Sequence, residues 1–547
     1  MQAKGFGYTL QRGITGLALL ALLAGCAGSG GVNGDPKTAA QSPERAWGPV
    51  MVAIAEADLY EDEKSVVDLI PRRDPSLIVA DYQARTADGP LARAALEAFV
   101  QENFKEPAEN VSRLSEDADT PIDEHIKHLW PYLTRDPAAT DEGQWSSLVV
   151  LPHHYVVPGG RFNEMFYWDS FFTMLGLAHS DRYDLVRDMV DNFAWLIDQY
   201  GFIPNGTRTY FLTRSQPPFF ASMVGLLAEH DGDKVYQRYL PELSREYDYW
   251  MRGAESLAPG QASEHVVRLE DGTLLNRYHG SENTPRPESY AGEIALAEKA
   301  SDRPAPEVYG ALRAAAESGW DFSSRWMRDG SQQTTIATRD FLPVDLNALL
   351  FHLEKTLAHA WQLEGNRERA AQFEQLAATR REAINRVFWD AERGLYTDYD
   401  WREKRPSEVV SAAMVYPLTF GVADQSRADA TAGAIERELL RPGGMVTTNR
   451  HTGEQWDAPN GWAPLQWLAV EGLSRYGQTR LASTIARRWI DTNQRVYDQT
   501  GKLVEKYNVE NPGVGGGGEY EVVDGFGWTN GVLLDLMARY PEAARAP

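Results

Sequence analysis

Pairs of amphipathic helices recur along this chain of 547 residues, and they constrain its fold more than any other feature. The clearest pair begins at Asp345, a predicted N-cap, and its first helix ends at Gly365. Leucines follow at spacings of three and four, at Leu346, Leu349, Leu350, Leu353 and Leu357. A partner with an apolar face from Phe373 to Phe388 comes directly after. These spacings predict two antiparallel helices.

The same pattern returns three more times along the chain. The further predicted pairs are residues 185–200 with 217–230, 407–420 with 426–440, and 463–476 with 480–498. Strand patterns are few, and residues 394–397 have the composition of a short hairpin. Repeated helix pairs are typical of a helical toroid, in which one ring of helices surrounds another, and also of an α-solenoid. The lack of a sequence-level repeat favours the toroid.

The first 26 residues have the composition of a targeting segment. A basic start is followed by an apolar run at 16–25, which is too short to span a membrane. The run ends in Leu-Ala-Gly-Cys at 23–26, which resembles the lipobox of bacterial lipoproteins. Cys26 is the only cysteine, so we predict it as the lipid attachment point. Cleavage of an ordinary signal peptide just after it is the alternative.

The remaining chain divides into a predicted tether and one predicted domain. Residues 27–44 are small and polar, as in a disordered linker, and residues 45–547 form the domain. The net charge of −24 repels phosphate backbones and anionic membranes, which excludes nucleic acid as a partner. We expect an exported, periplasmic monomer that reaches the membrane only through a lipid at Cys26.

Two loops between helices carry long and compositionally unusual motifs. The first is Pro158-Gly159-Gly160-Arg161-Phe162 with Glu164, Tyr167, Trp168 and Asp169. The second is Gln455-Trp456-Asp457-Ala458-Pro459-Asn460-Gly461-Trp462-Ala463-Pro464. They resemble the signatures of the trehalases of glycoside hydrolase family thirty-seven, nearest the bacterial periplasmic members. The resemblance runs from about residue 55 to about residue 540.

The resemblance implies both a fold and a reaction. The fold is an all-α (α/α)6 barrel with short β hairpins in its loops. The reaction is hydrolysis of trehalose to two glucose molecules, with inversion at the anomeric carbon, and without a metal or another cofactor. The lipobox departs from the soluble periplasmic enzymes and bears on location rather than on chemistry.

Inverting hydrolysis needs a carboxylic acid and a carboxylate about 6.5–9.5 Å apart. Asp321 lies between Trp320 and Phe322, which are expected to desolvate its carboxyl and raise its pKa, as a general acid requires. By resemblance Asp321 is the catalytic acid and Glu505 the base. A strand-edge salt bridge with Lys506 is the alternative for Glu505, and Glu519 is its rival as base.

The resemblance also supplies a set of sugar-binding residues. They are Arg161, Trp168, Asp169, Asn205, Arg214, Ser215, Gln216, Arg286, Pro287, Glu288, Gly319 and Glu519. Trp456 and Asp457 are expected near the site, where Asp457 either contacts the sugar or supports the loop behind it. The glycine run at 515–518 is predicted to be a lid. The histidines form no metal-like cluster, so no metal site is predicted.

Two other functions fit the same features. One is another (α/α)6 sugar enzyme, such as a glucosidase or a phosphorylase that acts on a different disaccharide; a phosphorylase would need phosphate. The other is a trehalose-binding lipoprotein without activity. The presence of both Asp321 and Glu505 favours an enzyme over the binding protein.

Overall fold

Helices dominate the protein, whose computed structural model describes residues 37–38, 41–107, 120–139, 142–517 and 525–543. The α-helices of these residues are α1 Pro43–Ala46, α2 Gly48–Glu56, α3 Glu63–Val67, α4 Pro75–Arg85, α5 Arg93–Asn103, α6 Ile122–Leu133, α7 Tyr167–His179, α8 Tyr183–Tyr200, α9 Phe220–Asp231, α10 Lys234–Arg238, α11 Leu240–Trp250, α12 Tyr290–Lys299, α13 Ala305–Glu317, α14 Val344–Leu363, α15 Arg367–Val387, α16 Tyr416–Thr419, α17 Gln425–Ala434, α18 Ala463–Arg475, α19 Thr479–Thr500 and α20 Gly527–Arg539.

Short antiparallel strands connect many of the helices, in sheets of two or three strands. The strands are β1 Ile70–Pro71, β2 Phe104–Lys105, β3 Thr134–Arg135, β4 Tyr155–Val156, β5 Gln261–Ser263, β6 Val266–Arg268, β7 Leu274–Asn276, β8 Phe341–Leu342, β9 Trp389–Asp390, β10 Leu395–Tyr396, β11 Tyr399–Asp400, β12 Arg405–Pro406, β13 Leu440–Arg441, β14 Gly444–Met445, β15 Asn460–Trp462, β16 Lys506–Asn508 and β17 Gly513–Val514. The predicted hairpin at 394–397 is confirmed, since β10 pairs with β9.

An inner ring of helices closes on itself. Each member contacts the next in the order α7, α9, α14, α16, α18 and α20, and α20 returns to α7. Helix α7 is buried at every position from Tyr167 to Leu177. Helix α8, outside it, is buried along one face, at spacings of three and four residues from Leu185 to Ile197. A helix buried on all sides with an amphipathic helix outside it is the pattern of a two-layered ring, and the predicted (α/α)6 barrel is confirmed.

Glycines allow the ring to close between its first and last helices. A Cβ atom at Gly176 would lie 2.6 Å from the Cα of Gly531, and one at Gly531 would lie 1.9 Å from the carbonyl oxygen of Phe172. Helices α7 and α20 therefore approach at a distance that no larger residue permits.

The structure bears out the pair at 345–388 but corrects its first residue. Helices α14 and α15 form this pair, and Gly365 follows the end of α14 with a φ of +80°. The N-cap of α14 is Pro343 rather than Asp345. The buried carboxylate of Asp345 instead accepts two hydrogen bonds from Arg325, at 2.8 and 2.9 Å. A buried guanidinium is tolerated only with such carboxylate partners, and this ion pair stabilises the fold more than a capping hydrogen bond from Asp345 would.

The predicted helix at 407–420 is wrong over its first half. The 3-10 turn Ala412–Val415 and α16 account for the second half only. Residues before them are extended: Pro406 lies in β12, and Ser411 forms a bridge with Thr448. Backbone pairing across the chain therefore overrides the local apolar spacing.

Helices α1 to α5 form a layer with a core of its own. Trp47, Ile54 and Phe99 pack there with Phe166 and Tyr210, which belong to loops of the barrel. Residues 41–44, assigned to the predicted tether, belong to this layer: Ser42 is fully buried, and α1 begins at Pro43. Cys26 lies outside the described residues. None of the described helices is both long enough and apolar enough to cross a bilayer.

Candidate active site

A cavity lies where the inner helices α7 and α20 begin. Its volume is about 110 Å³. Its walls are rich in aromatic side chains, namely Phe162, Phe166, Trp168, Phe211, Trp456, Trp462, Phe526 and Trp528. Flat aromatic faces next to polar groups suit the apolar faces of a small polar ligand such as a sugar.

Most of the predicted site residues lie in the wall of this cavity. They are Arg161, Trp168, Asp169, Asn205, Arg214, Gln216, Arg286, Glu288, Gly319, Asp321 and Glu505. Ser215 and Pro287 do not line it. The hydroxyl of Ser215 donates to the carbonyl oxygen of Ile203 at 2.7 Å, and Pro287 is buried at the start of a 3-10 turn. Glu519 lies outside the described residues.

Asp321 occupies the loop that follows α13. Two residues earlier, Gly319 has a φ of +74°, and a Cβ there would lie 2.9 Å from the indole of Trp168. The side chain of Asp321 is 37% exposed, so Trp320 and Phe322 do not desolvate it as expected. Trp320 and Phe322 are buried themselves and leave the carboxyl open. Its Oδ2 lies 3.6 Å from Nη1 of Arg286.

Glu505 is buried immediately before β16, the central strand of a three-stranded sheet. Its Oε2 accepts a hydrogen bond of 2.8 Å from Nζ of Lys506. The backbone oxygen of Glu505 accepts a hydrogen bond of 3.0 Å from the indole of Trp528. The salt bridge considered as an alternative therefore coexists with a place in the cavity wall.

Two arginines and a glutamate form one charged side of the cavity. Nη2 of Arg214 lies 2.5 Å from Oε1 of Glu288, and Nη1 of Arg286 lies 3.7 Å from the same oxygen. Burial would raise the pKa of Glu288, but the guanidinium groups of Arg214 and Arg286 outweigh it and lower that pKa. Glu288 is therefore ionised at neutral pH.

Asp169 differs from Glu288, because its pKa is raised rather than lowered. Burial raises its pKa to about 8, and the nearby carboxylates of Glu505 and Asp321 act in the same direction. The carboxyl group of Asp169 therefore holds a proton at neutral pH. A neutral carboxyl can donate a hydrogen bond as well as accept one.

The second motif supports the loop of Asp321 from behind. Trp456 stacks on Trp462 with ring centroids 3.8 Å apart. Asp457 is fully buried and does not line the cavity; its carboxylate accepts hydrogen bonds from Ser323, Ser324, Thr448 and Thr452. Of its two possible roles, the structure therefore favours support of the loop.

The described part of the glycine run is tied to the barrel. The amide of Gly515 donates to the carbonyl oxygen of Lys506 at 3.1 Å, and Asn460 donates to the carbonyl oxygen of Gly516 at 2.7 Å. A Cβ at Gly515 would lie 2.8 Å from that oxygen of Lys506, so close packing explains this glycine. Residues 518–524 lie outside the described residues, and the lid remains a prediction.

The cavity also contains residues that the sequence did not single out. Among them are Lys64, Gln455, Phe526 and Trp528. Gln455 begins the second motif and could have been identified there. Lys64 belongs to the N-terminal layer and has no local signal in the sequence. Within the described residues, no group of three or more His, Cys, Asp or Glu could hold a metal ion.

The family model and the similar bacterial proteins agree on one family. The family model described as Trehalase matches residues 58–541. A periplasmic trehalase of Xanthomonas campestris pv. campestris (strain B100) is 50% identical, over 95% of this chain and 90% of its own length. One from Pseudomonas aeruginosa is 51% identical, over 92% of each chain. The solved neutral trehalase Nth1 of Saccharomyces cerevisiae superposes with a TM-score of 0.60 at 26% identity, over 77% of this chain and 81% of its own.

Proposed function

Because this chain belongs to the trehalase family and is a glycoside hydrolase that cleaves trehalose to glucose, we propose that it works by inversion, with Asp321 as general acid and Glu505 as general base. One observation carries the proposal: both carboxyl groups lie in the wall of a single aromatic cavity. Arg286 lies beside Asp321, and Lys506 lies beside Glu505.

The proposed reaction needs one proton donor and one proton acceptor. Asp321 gives its proton to the oxygen that joins the two glucose units, and the bond from that oxygen to one anomeric carbon breaks. Glu505 takes a proton from a water molecule that attacks the same carbon from the opposite face. The ammonium group of Lys506, 2.8 Å from Glu505, pairs with the ionised carboxylate that a base requires.

The other wall residues bind the sugar in this proposal. The guanidinium groups of Arg161, Arg214 and Arg286 donate hydrogen bonds to sugar hydroxyls. The neutral carboxyl of Asp169 donates a hydrogen bond to a sugar hydroxyl or accepts one from it, and Trp168 packs on a face of the sugar. Ser215 and Pro287 act from behind the wall, through Ile203 and through the turn that carries Glu288. Glu519 is proposed as a further ligand of the sugar.

The anomeric configuration of the products tests the proposal. In trehalose both glucose units are α. After inversion, the attacked unit leaves as β-glucose and the other as α-glucose, in equal amounts. Proton NMR of the anomeric region before mutarotation should record this ratio. An initial product that is all α would exclude inversion, and a requirement for phosphate would indicate a phosphorylase instead.

We also propose a cellular location and a domain organisation for this chain. The similar bacterial proteins are named periplasmic trehalases, which supports export. Residues 1–26 are proposed as a lipoprotein-type signal peptide with Cys26 as the acylated residue. Residues 27–40 are proposed as a tether, since residues 41–44 pack into the N-terminal layer, and residues 41–547 as one catalytic domain that acts as a monomer. Mass spectrometry after expression in a lipoprotein-processing bacterium tests this. A mature N-terminus at residue 27 or later, without diacylglycerol, would contradict the anchor.

A further inference from the structure

Three consecutive residues ahead of the barrel contact three different segments that carry or adjoin the cavity wall. They are Asp62, Glu63 and Lys64, at the start of the short helix α3. We call them the Asp62–Lys64 turn. The side chain of Asp62 accepts a hydrogen bond of 2.9 Å from the amide of Lys64, which holds the turn in shape.

Asp62 contacts an arginine of the first motif. Its Oδ2 lies 2.7 Å from Nη1 of Arg161, which lines the cavity. The two side chains are only 25% and 18% exposed, so water screens the pair less than it screens a surface pair. The guanidinium of Arg161 also lies over the ring of Phe162, 5.2 Å from its centroid. Asp62 and Phe162 together restrict where the guanidinium points.

Glu63 holds the helix that follows the arginine-glutamate side of the cavity. Its two carboxylate oxygens accept hydrogen bonds from the amides of Ala291 and Gly292, at 2.7 and 3.1 Å. These amides belong to the first turn of α12, where N–H groups have no partner within the helix. The turn that carries Arg286 and Glu288 runs directly into α12. Glu63 thus caps a helix from another part of the chain.

Lys64 joins the turn to the loop of the first motif. Its Nζ lies 2.9 Å from Oε1 of Glu164 and 2.5 Å from Oδ2 of Asp68. All three side chains are buried, and Lys64 itself lines the cavity. A buried lysine between two buried carboxylates cannot move without leaving charges unpaired, which makes this contact a fixed point.

We propose that the Asp62–Lys64 turn is a positioning element of the active site, which sets Arg161 through Asp62 and the Arg286–Glu288 turn through Glu63. This inference rests on the proposed function, since it assumes that Arg161 and Arg286 bind the sugar. It makes the N-terminal layer part of the substrate site, although that layer contributes neither catalytic carboxylate.

Kinetics of Asp62→Asn and Glu63→Gln, measured with trehalose, test the inference. Each substitution removes a charge and keeps the side-chain shape. We expect KM to rise by about five- to tenfold in each variant, with kcat within about twofold, since a misplaced ligand weakens sugar binding. Asp62→Glu, which keeps the carboxylate, should recover most of the loss. Asp81→Asn is the matched control, because Asp81 pairs with Arg73 on the exposed side of the same layer.

A double-mutant cycle separates positioning from general destabilisation. In an Arg161→Gln background, Asp62→Asn should have no further effect on KM, because its partner is gone. A variant KM equal to that of the wild type would overturn the inference, as would a fall in kcat and Tm at unchanged KM. Wild-type protein that fails to release glucose from trehalose would overturn the proposed function instead.

Discussion

The hydroxyl group of Ser324 donates a hydrogen bond of 2.7 Å to Oδ1 of Asp457, and this contact ties the loop after Asp321 to the second motif. The backbone amide of Ser324 donates to both oxygens of the same carboxylate, at 3.1 and 2.9 Å. The amide side chain of Gln455 also donates to the carbonyl oxygen of Asp321. The second motif is therefore a platform for the proposed acid.

Asp457→Asn should lower kcat for trehalose by about one to two orders of magnitude in a folded protein. The asparagine amide would face hydroxyl and backbone donors, and each buried donor left without an acceptor costs about 1–3 kcal/mol. Steady-state kinetics with circular dichroism measure the change. Asp329→Asn is the matched control, since Asp329 also accepts hydrogen bonds within a turn but lies away from the cavity. Full activity of Asp457→Asn would contradict the supporting role.

Asp321→Asn and Glu505→Gln should each lower kcat by several orders of magnitude while far-UV circular dichroism stays unchanged. Both substitutions keep the shape of the side chain and remove only proton transfer. Glucose release from trehalose measures the loss. Glu519→Gln is the comparison variant, and we expect it to raise KM more than it lowers kcat. If Glu519→Gln were inactive and Glu505→Gln active, the base would be assigned wrongly.

Asp169→Asn should make stability less dependent on pH. The folded pKa of about 8 lies above the ordinary pKa of an aspartate, so the folded state holds a proton that the unfolded chain releases. The wild-type free energy of unfolding therefore falls as pH rises from about 4 to 8. The variant escapes this loss and should gain stability over the wild type towards pH 8, but not near pH 4. Urea unfolding from pH 4 to pH 8 measures this effect, with Asp81→Asn as control. If the difference in free energy of unfolding between variant and wild type did not change with pH, the idea would be refuted.

Glu317→Gln should destabilise the protein at neutral pH, and the effect should shrink in acid. Burial would raise the pKa of Glu317, but His265 and the backbone amides of His279 and Ser215 outweigh it and lower that pKa to about 2. The stability from a lowered pKa is present above about pH 4.5 and is lost towards pH 2; it amounts to about 3 kcal/mol. Denaturant midpoints of the wild type and of Glu317→Gln, measured from pH 3 to pH 7, record how this stability difference changes with pH. Glu374→Gln, in an exposed pair with Lys355, should give no such trend.

Gly531→Ala should weaken closure of the inner ring. Its new Cβ would meet the carbonyl oxygen of Phe172 at 1.9 Å, so α7 and α20 must separate, at a cost of about 2–3 kcal/mol. Gly433→Ala is the matched control, because Gly433 lies in α17 with nothing within 4 Å of the added atom. The control should be stabilised by about 0.5–1 kcal/mol. Equal melting temperatures for the two variants would refute the close approach.

Sequence patterns and the family resemblance predicted most of the helix pairs, the barrel and half of the residues that line the cavity. Apolar spacing of three and four residues is a local property of a helix, so α14 with α15 and α18 with α19 were predictable from the pattern. The two motifs identified Arg161, Trp168 and Asp169 through resemblance, and the structure brings these residues to one cavity with Asp321 and Glu505.

Which charged groups meet could be established only from the folded structure. Asp345 has the local context of an N-cap, yet Arg325 binds it across the chain. Lys64 and Asp62 have no motif around them, yet they contact Glu164 and Arg161, about a hundred residues later. The physical reason is that a helical face is set by residues a few positions apart, whereas burial of a charge is tolerated only where distant segments supply its partner.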